Sequence, residues 1–249
     1  MIKEKNKTLI YGIHPVIEAL ESGKTIDKVW LQEGQLQGQL AEIISMLLKR
    51  RIQWKQVPSA KLNSLVRGNH QGVILSLSSV DFATLENVVA DAFANGEDPF
   101  ILVLDGITDV RNFGAIARTA SCLGVHGILV PEKGSAPIGP DAVKTSAGAL
   151  LKIPVCRTTS MYHSLKYLQN SGLKLVGATE KAQDVIYACD LQGPLALVMG
   201  NEETGLSTDT LKQCDIIARI PQSLGGVDSL NVSVATGMFV YEIVRQRTV

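Results

Sequence analysis

Three apolar runs in the second half of the chain end in glycine-bearing turns, "LVGATEKA", "LVMGNEETGLS" and "RIPQSLGGVDSLN". Glycine lets main-chain N–H and C=O groups approach a ligand directly, and open parallel sheets bind ligands beyond the carboxyl ends of their strands. None of these turns is a phosphate loop. Neither GxxxxGKS nor GxxxxGKT occurs and no strand is followed by GxGxxG, so phosphoryl transfer and ordinary dinucleotide binding find little support. A second concentration of chemistry lies in "NFGAIARTASCLG". Read as a helix opening at Asn112, it puts Phe113, Ile116, Ala117, Ala120 and Leu123 on one face. The other face carries Gly114, Ala115, Ser121 and Cys122 around a single guanidinium, Arg118, where an ordinary solvent-facing stripe would carry several lysines and glutamates.

The elements that must position these residues alternate along the chain. "HPVIEALESG", closed by Gly23, reads as a helix, "IDKVWLQ" as a strand, "LQGQLAEIISMLLKRR" as an amphipathic helix and "IQWKQV" as a strand. "PSAKLNSLV" then reads as a helix and "GVILSLS" as a strand. We expect a first domain over 1–79 and a connector over 80–98, the latter one helix and a Gly-Glu-Asp-Pro break. The second domain is expected over 99–249. There "FILVLD", "GILVP", "KIPVC", "LKLVGA", "LALVMG" and "IIARIP" are apolar on both faces and separated by helices, the pattern of a mainly parallel sheet covered on both sides. The last helix, "SLNVSVATGMFVYEIVRQR", has no charge between Ser229 and Tyr241, which points to burial against its own sheet and a second chain.

Composition narrows the class. The 249 residues carry no net charge and no apolar run of membrane-spanning length, and the charged start lacks the apolar stretch of a signal peptide. Cys122, Cys156, Cys189 and Cys214 are scattered, without metal-ligand spacing. The expectation is a reduced, cytoplasmic protein with no metal and no membrane partner. The neutral total conceals an asymmetry: residues 1–80 hold 11 Lys and Arg against 6 Asp and Glu, and residues 81–249 hold 13 against 18. A basic first half suits a nucleic-acid partner, though chance variation on solvated surfaces accounts for it equally well.

"NFGAIARTA", "LVMGNEETGLS" and "IPQSLGGVDSLNVSVATGMFVYE", in this order, resemble the three motifs of the SpoU (TrmH-type) RNA ribose 2′-O-methyltransferases of the SPOUT superfamily. "YGIHPVIEALESG" and "HQGVIL" further resemble the small substrate-binding domain of bacterial 23S rRNA guanosine 2′-O-methyltransferases in that family. The resemblance implies an α/β fold whose parallel-sheet catalytic domain holds a deep trefoil knot, beside a small L30e-like domain. It implies S-adenosylmethionine as cofactor, with Gly200, Ile220, Leu230 and Thr179 around it, and homodimerisation through the knotted domain. The small-residue face around Arg118 would then lie against the cleft and the partner chain. Asn112, Arg118, Glu202, Ser229 and Asn231 fall on the catalytic and polar positions of the motifs. One departure is "TDVRNFG", where Val110 replaces a proline the family often has and Arg111 precedes Asn112; the Asn-to-Arg spacing is intact.

Each assignment has a plainer alternative. Asn112 could simply cap a helix, Arg118 could pair with Glu202, and Glu202 could stabilise the start of the following helix. Ser229 and Asn231 could cap the last helix. Lys49, Arg50 and Arg51 are candidate phosphate contacts or merely a solvated helix end. Arg67 and His70, in "RGNHQG", are candidate RNA contacts, with loop hydrogen bonding the alternative for His70. The expected activity is methyl transfer to a ribose 2′-hydroxyl, most simply on a guanosine of 23S rRNA. Alternatives are a tRNA or other rRNA target, or a non-catalytic RNA-binding factor in ribosome assembly. Guanidinium seldom deprotonates, which favours Arg118 as stabiliser of the developing 2′-oxyanion over Arg118 as base.

Overall fold

The apolar runs read as strands pair into two separate sheets, one in each of two units, Met1–Asp81 and Phe82–Val249. The computed structural model describes residues 9–22, 24–34, 38–50, 52–78, 80–222 and 229–248; Gly23, the expected helix stop, lies outside them.

The first unit runs β1 (Leu9–Tyr11), α1 (Ile13–Glu21), β2 (Ile26–Gln32), α2 (Gln39–Lys49), β3 (Lys55–Val57), α3 (Ser59–Leu65) and β4 (Val73–Leu77). The sheet order is β1-β4-β2-β3, antiparallel except between β2 and β3. Strand alternation sorts its two faces. Val29, Leu31, Val73 and Leu75 pack with Val16, Leu20, Ile43 and Leu47 of α1 and α2, while Ile74 packs with Leu62 of α3. β3 starts later than "IQWKQV" suggests, because the Ile52 N–H first closes the end of α2 on the Leu47 carbonyl at 2.8 Å.

The second unit begins inside the stretch expected to be a connector. β5 (Phe82–Ala83) pairs with an edge of the second sheet, and α4 (Leu85–Ala94) buries Leu85, Val88, Val89 and Ala92. Those four positions follow helical i, i+3, i+4, i+7 spacing, so the segment has an apolar face to bury and is not a linker. Then come β6 (Phe100–Leu104), α5 (Val110–Cys122), β7 (Gly127–Pro131), α6 (Pro140–Thr145), β8 (Val155–Thr158) and α7 (Met161–Asn170). β9 (Lys174–Ala178), β10 (Asp184–Val185), β11 (Leu195–Met199), α8 (Thr208–Gln213), β12 (Ile216–Arg219) and α9 (Val232–Arg247) complete it. The eight strands, all parallel, take the order β10-β12-β9-β11-β6-β7-β8-β5. Every residue of β6 and β11 is buried, as expected of central strands covered on both faces. The chain lays β7 and β8 to one side of β6, then returns to build β9, β11 and β12 on the other. β6 and β11 thus flank the point where the strand order reverses.

α5 starts at Val110, two residues ahead of Asn112, because Asp109 is the cap. Its carboxylate accepts the Arg111 and Asn112 N–H groups at 2.8 and 2.9 Å. Those N–H groups, that of Asn112 foremost, hold the Asp109 carboxyl below its ordinary range. α9 buries Val232, Thr236, Phe239, Val240 and Ile243 and leaves Val234, Met238 and Tyr241 exposed. Its far end is tied down by Arg247, whose guanidinium donates to the carbonyls of Asp98, Pro99 and Gly193.

Candidate active site

The turn after β11 is built around Asn201. Its backbone exchanges hydrogen bonds with Gly205, and its side-chain oxygen accepts the N–H groups of Glu203 and Thr204 at 2.8 and 3.2 Å. Its amide nitrogen donates to the Gly106 carbonyl at 2.7 Å, joining this turn to the loop that leads from β6 into α5. Gly200 must be glycine for a reason beyond ligand access: a Cβ there would collide with the backbone of Gly205 and Leu206. Asn201 is not among the expected site residues, and its signal in the sequence is an Asn in a glycine-bounded turn, able to bond its own backbone two residues on.

This turn is one wall of a cleft of about 360 Å³ beyond the carboxyl ends of β9, β11 and β12. Thr179, Gly200, Ile220 and Leu230 all line it, as do Glu202 and Ser229. Glu180, Lys181 and Gln222 add polar groups, and Met199, Val232 and Phe239 add apolar surface. Most of the third glycine turn, residues 223–228, lies outside the described residues.

Asn112, Glu202 and Asn231 form one hydrogen-bonded chain. Asn112 Nδ2 donates to Glu202 Oε1 at 2.6 Å, and Asn231 Nδ2 donates to Asn112 Oδ1 at 3.2 Å. Asn231 Oδ1 meanwhile caps α9, accepting from Ser233 N at 3.0 Å and Ser233 Oγ at 2.6 Å. A carboxylate only accepts, so Glu202 fixes which way the Asn112 amide faces, and Asn112 fixes Asn231 in turn. Because Asp109 does the capping, the Asn112 side chain is free for this role. Glu202 spends its carboxylate on Asn112 rather than on the start of α8, which Ser207 caps.

Arg118 is exposed and has no hydrogen bond or ion pair among the described residues; the expected alternative, a pair with Glu202, is not formed. Neither Arg118 nor Asn112 lines the cleft. The small-residue face around Arg118 divides. Gly114 is buried within the chain, where a Cβ would strike the Thr145 side chain of α6, so it serves helix packing and not a cleft. Arg118 and Cys122 remain exposed. Burial pushes the Cys156 and Cys214 thiols up to about 12, which leaves neither as a nucleophile at neutral pH.

In the first unit Lys49 and Arg67 are exposed, and Arg51 lies outside the described residues. Two expected RNA contacts are otherwise engaged. The Arg50 guanidinium donates to the Leu20 carbonyl at the end of α1 and to the Lys24 carbonyl. His70 is only 8 % exposed: Nδ1 accepts the Gly72 N–H at 3.0 Å and Nε2 faces Asn63 Oδ1 at 3.1 Å. The ring is therefore the Nε2-protonated tautomer with both nitrogens spent, a loop hydrogen-bonder with nothing left for RNA.

Among the described residues no helix is long and apolar enough to cross a membrane, and no group of three or more His, Cys, Asp or Glu could hold a metal ion. Residues 99–241 match the SpoU rRNA methylase family, and residues 9–83 match the RNA 2′-O ribose methyltransferase substrate-binding family. The chain is 35% identical over 238 residues to a TrmH-family tRNA/rRNA methyltransferase of Bacillus subtilis, covering 96% of this chain and 95% of that one. It is 38% identical over 242 residues to a 23S rRNA (guanosine-2′-O-)-methyltransferase of Pseudomonas aeruginosa, covering 96% of each. Among solved structures, the SpoU methyltransferase AviRb of Streptomyces viridochromogenes, in complex with AdoMet, matches with a TM-score of 0.62 at 25% identity over 97% of this chain and 91% of that one.

Proposed function

The chain belongs to the SpoU rRNA methylase family and is an S-adenosylmethionine-dependent RNA ribose 2′-O-methyltransferase, and from that premise we propose that its target is a guanosine of 23S ribosomal RNA. The relatives named for that reaction, similar along nearly their whole length, support the choice of nucleotide.

The observation that carries the site assignment is the Asn112–Glu202–Asn231 chain, because Glu202 belongs at once to it and to the cleft wall. The cleft suits the cofactor. It has a nucleoside-sized volume, an apolar floor from Met199, Ile220, Val232 and Phe239, and a wall formed by the Gly200–Gly205 turn. We assign the cofactor to Thr179, Gly200, Ile220 and Leu230. When bound, the cofactor supplies an electrophilic methyl group. The chain itself must hold the ribose 2′-hydroxyl in line and stabilise it as it loses a proton. We assign the second task to Arg118, an exposed cation outside the cleft wall with no partner among the described residues, gripping the developing oxyanion and a backbone phosphate together. Asn112, Glu202 and Asn231 hold the start of α5 and the start of α9 in register with the cleft, and we assign Ser229 to the cleft wall as a polar group facing the substrates.

In this reading residues 1–79 present RNA through Lys49 and Arg67. The 99–249 domain has the family's trefoil knot, and the first unit is L30e-like. The exposed stripe Val234, Met238 and Tyr241 joins two copies in a homodimer, and the protein works in the cytoplasm. Mapping 2′-O-methyl groups in total RNA with and without the gene tests the target: loss of one 23S guanosine methylation is expected. Loss confined to tRNA would move the assignment to the tRNA-directed branch.

A further inference from the structure

We propose that Tyr11 and Arg67 form a docking platform for an unpaired nucleotide of the RNA substrate, Tyr11 stacking on the base and Arg67 holding its phosphate. This rests on the proposed RNA-presenting role of the first unit and adds where on that unit the strand is gripped.

Tyr11 ends β1, yet its side chain is not drawn into the core: it stays 40 % exposed. Its ring edge rests on Gly68, where a Cβ would come within 2.5–2.8 Å of Cε2, Cζ and the hydroxyl. Glycine is what admits the ring at that place. The loop beneath is fixed before any ligand arrives. His70 bonds Gly72 and Asn63, Asn69 Oδ1 accepts the Gln71 N–H at 3.3 Å, and Gln71 Oε1 accepts the Ile13 N–H at 2.9 Å. Gln71 itself takes a left-handed φ of 49°, a conformation this hydrogen bonding holds in place. Beside Gly68, Arg67 is exposed and without an ion pair among the described residues.

An aromatic ring on a rigid support, with an exposed arginine one residue from the glycine beneath it, offers the pairing that single-stranded RNA-binding proteins use. Bases stack on the ring whatever their identity, and the cation tracks the backbone. A duplex offers no free base face, so the platform fits a loop, bulge or strand end. The surplus of Lys and Arg in residues 1–80 attracts the same partner.

The test measures binding of a 23S rRNA transcript, and of a short single-stranded RNA against its duplex, across a salt series. Tyr11→Ala is expected to weaken single-strand binding about tenfold without changing the log–log salt slope, because stacking releases no counterions. Tyr11→Phe should stay within about twofold of the parent, since the ring face is kept. Arg67→Ala should weaken binding and reduce the slope by about 0.7. Cofactor binding by calorimetry should be unchanged in all three. If thermal melting shows Tyr11→Ala unfolded, Tyr11→Leu takes its place, covering Gly68 without a ring face. Parent-like affinity in the Ala or Leu variant, an equal loss in Tyr11→Phe, or an unchanged slope in Arg67→Ala overturns the platform while 23S methylation by the parent stands. A parent chain that neither binds nor methylates any RNA removes the functional reading and the platform with it.

Discussion

The Asn112 amide nitrogen lies 2.6 Å from a Glu202 carboxylate oxygen, joining positions 90 residues apart. With Asn231 donating to the other end of the same amide, the start of α5, the turn after β11 and the cap of α9 are held by side chains whose polarity leaves one arrangement. Asn112 is half-buried and Glu202 and Asn231 are exposed, so their value lies in orientation more than in stability.

Reversing that polarity tests it. Asn112→Asp sets one carboxylate against another and removes the donor, so single-turnover methyl transfer should fall tenfold or more, the scale of one charge-assisted hydrogen bond. Adding Glu202→Gln to the same chain restores a donor facing an acceptor, and Asn231 can still donate. The double variant should recover part of the lost rate. A double variant no better than Asn112→Asp alone would show that the contact does not position the site.

Gly200 makes a prediction about packing. Even Gly200→Ala must push the Gly205–Leu206 backbone away, and backbone cannot rotate aside as a side chain can. The cost should be about 1–3 kcal/mol in stability, as for other overpacked sites, together with weaker cofactor binding because Glu202 rides on the displaced turn. Parent-like melting and parent-like calorimetry with S-adenosylmethionine would together remove Gly200 from the site.

Acid stability should register the end of α9. Glu242 accepts from Arg245 and Gln246 at 2.8–2.9 Å, and these bonds, Arg245 first, lower its carboxyl to about 2 from an ordinary value of 4.5. A depressed folded-state value means the stabilisation is complete above about 4.5 and disappears as pH falls through about 2. Glu242→Gln should therefore cost stability at pH 7, about 1 kcal/mol for a pair whose arginine is half exposed, and the two melting curves should converge as pH drops across that window. A difference that persists at pH 2 would mean the loss is one of packing.

Periodicity carried the strands and most helices because continuous apolar runs have few other uses. It missed β1, β5 and β10, strands of two or three residues too short for any pattern, and in missing β5 made a connector of a segment whose Leu85, Val88 and Val89 belong to the core. The glycine turns located the cleft, since turns at parallel strand ends have only one place to converge. What sequence could not supply was the partner of each polar group. Asp109 and Asn112 are both good caps, and only geometry shows that Asp109 takes the cap and leaves Asn112 for Glu202. Arg50 and His70 look available in a basic, polar stretch. A carbonyl at the end of α1 and the neighbours of a tight loop claim them instead.

Arg118 carries the strongest prediction about chemistry. It is exposed, unpaired among the described residues, and sits opposite the buried Phe113–Ala117 face of α5, so Arg118→Ala should fold, melt and bind S-adenosylmethionine as the parent does. Methyl transfer in single-turnover assays should nonetheless fall about a hundredfold or more, the size expected on removing a charge-stabilising or acid–base group. Arg118→Lys separates the two roles. A lysine keeps the charge but loses the planar fork that could hold phosphate and oxyanion together, so poor rescue at every pH would identify a stabiliser. A lysine acting as base would regain activity as pH rises toward its value near 10.4. Near-parent turnover by Arg118→Ala would exclude both and leave an exposed arginine on a helix that other residues use.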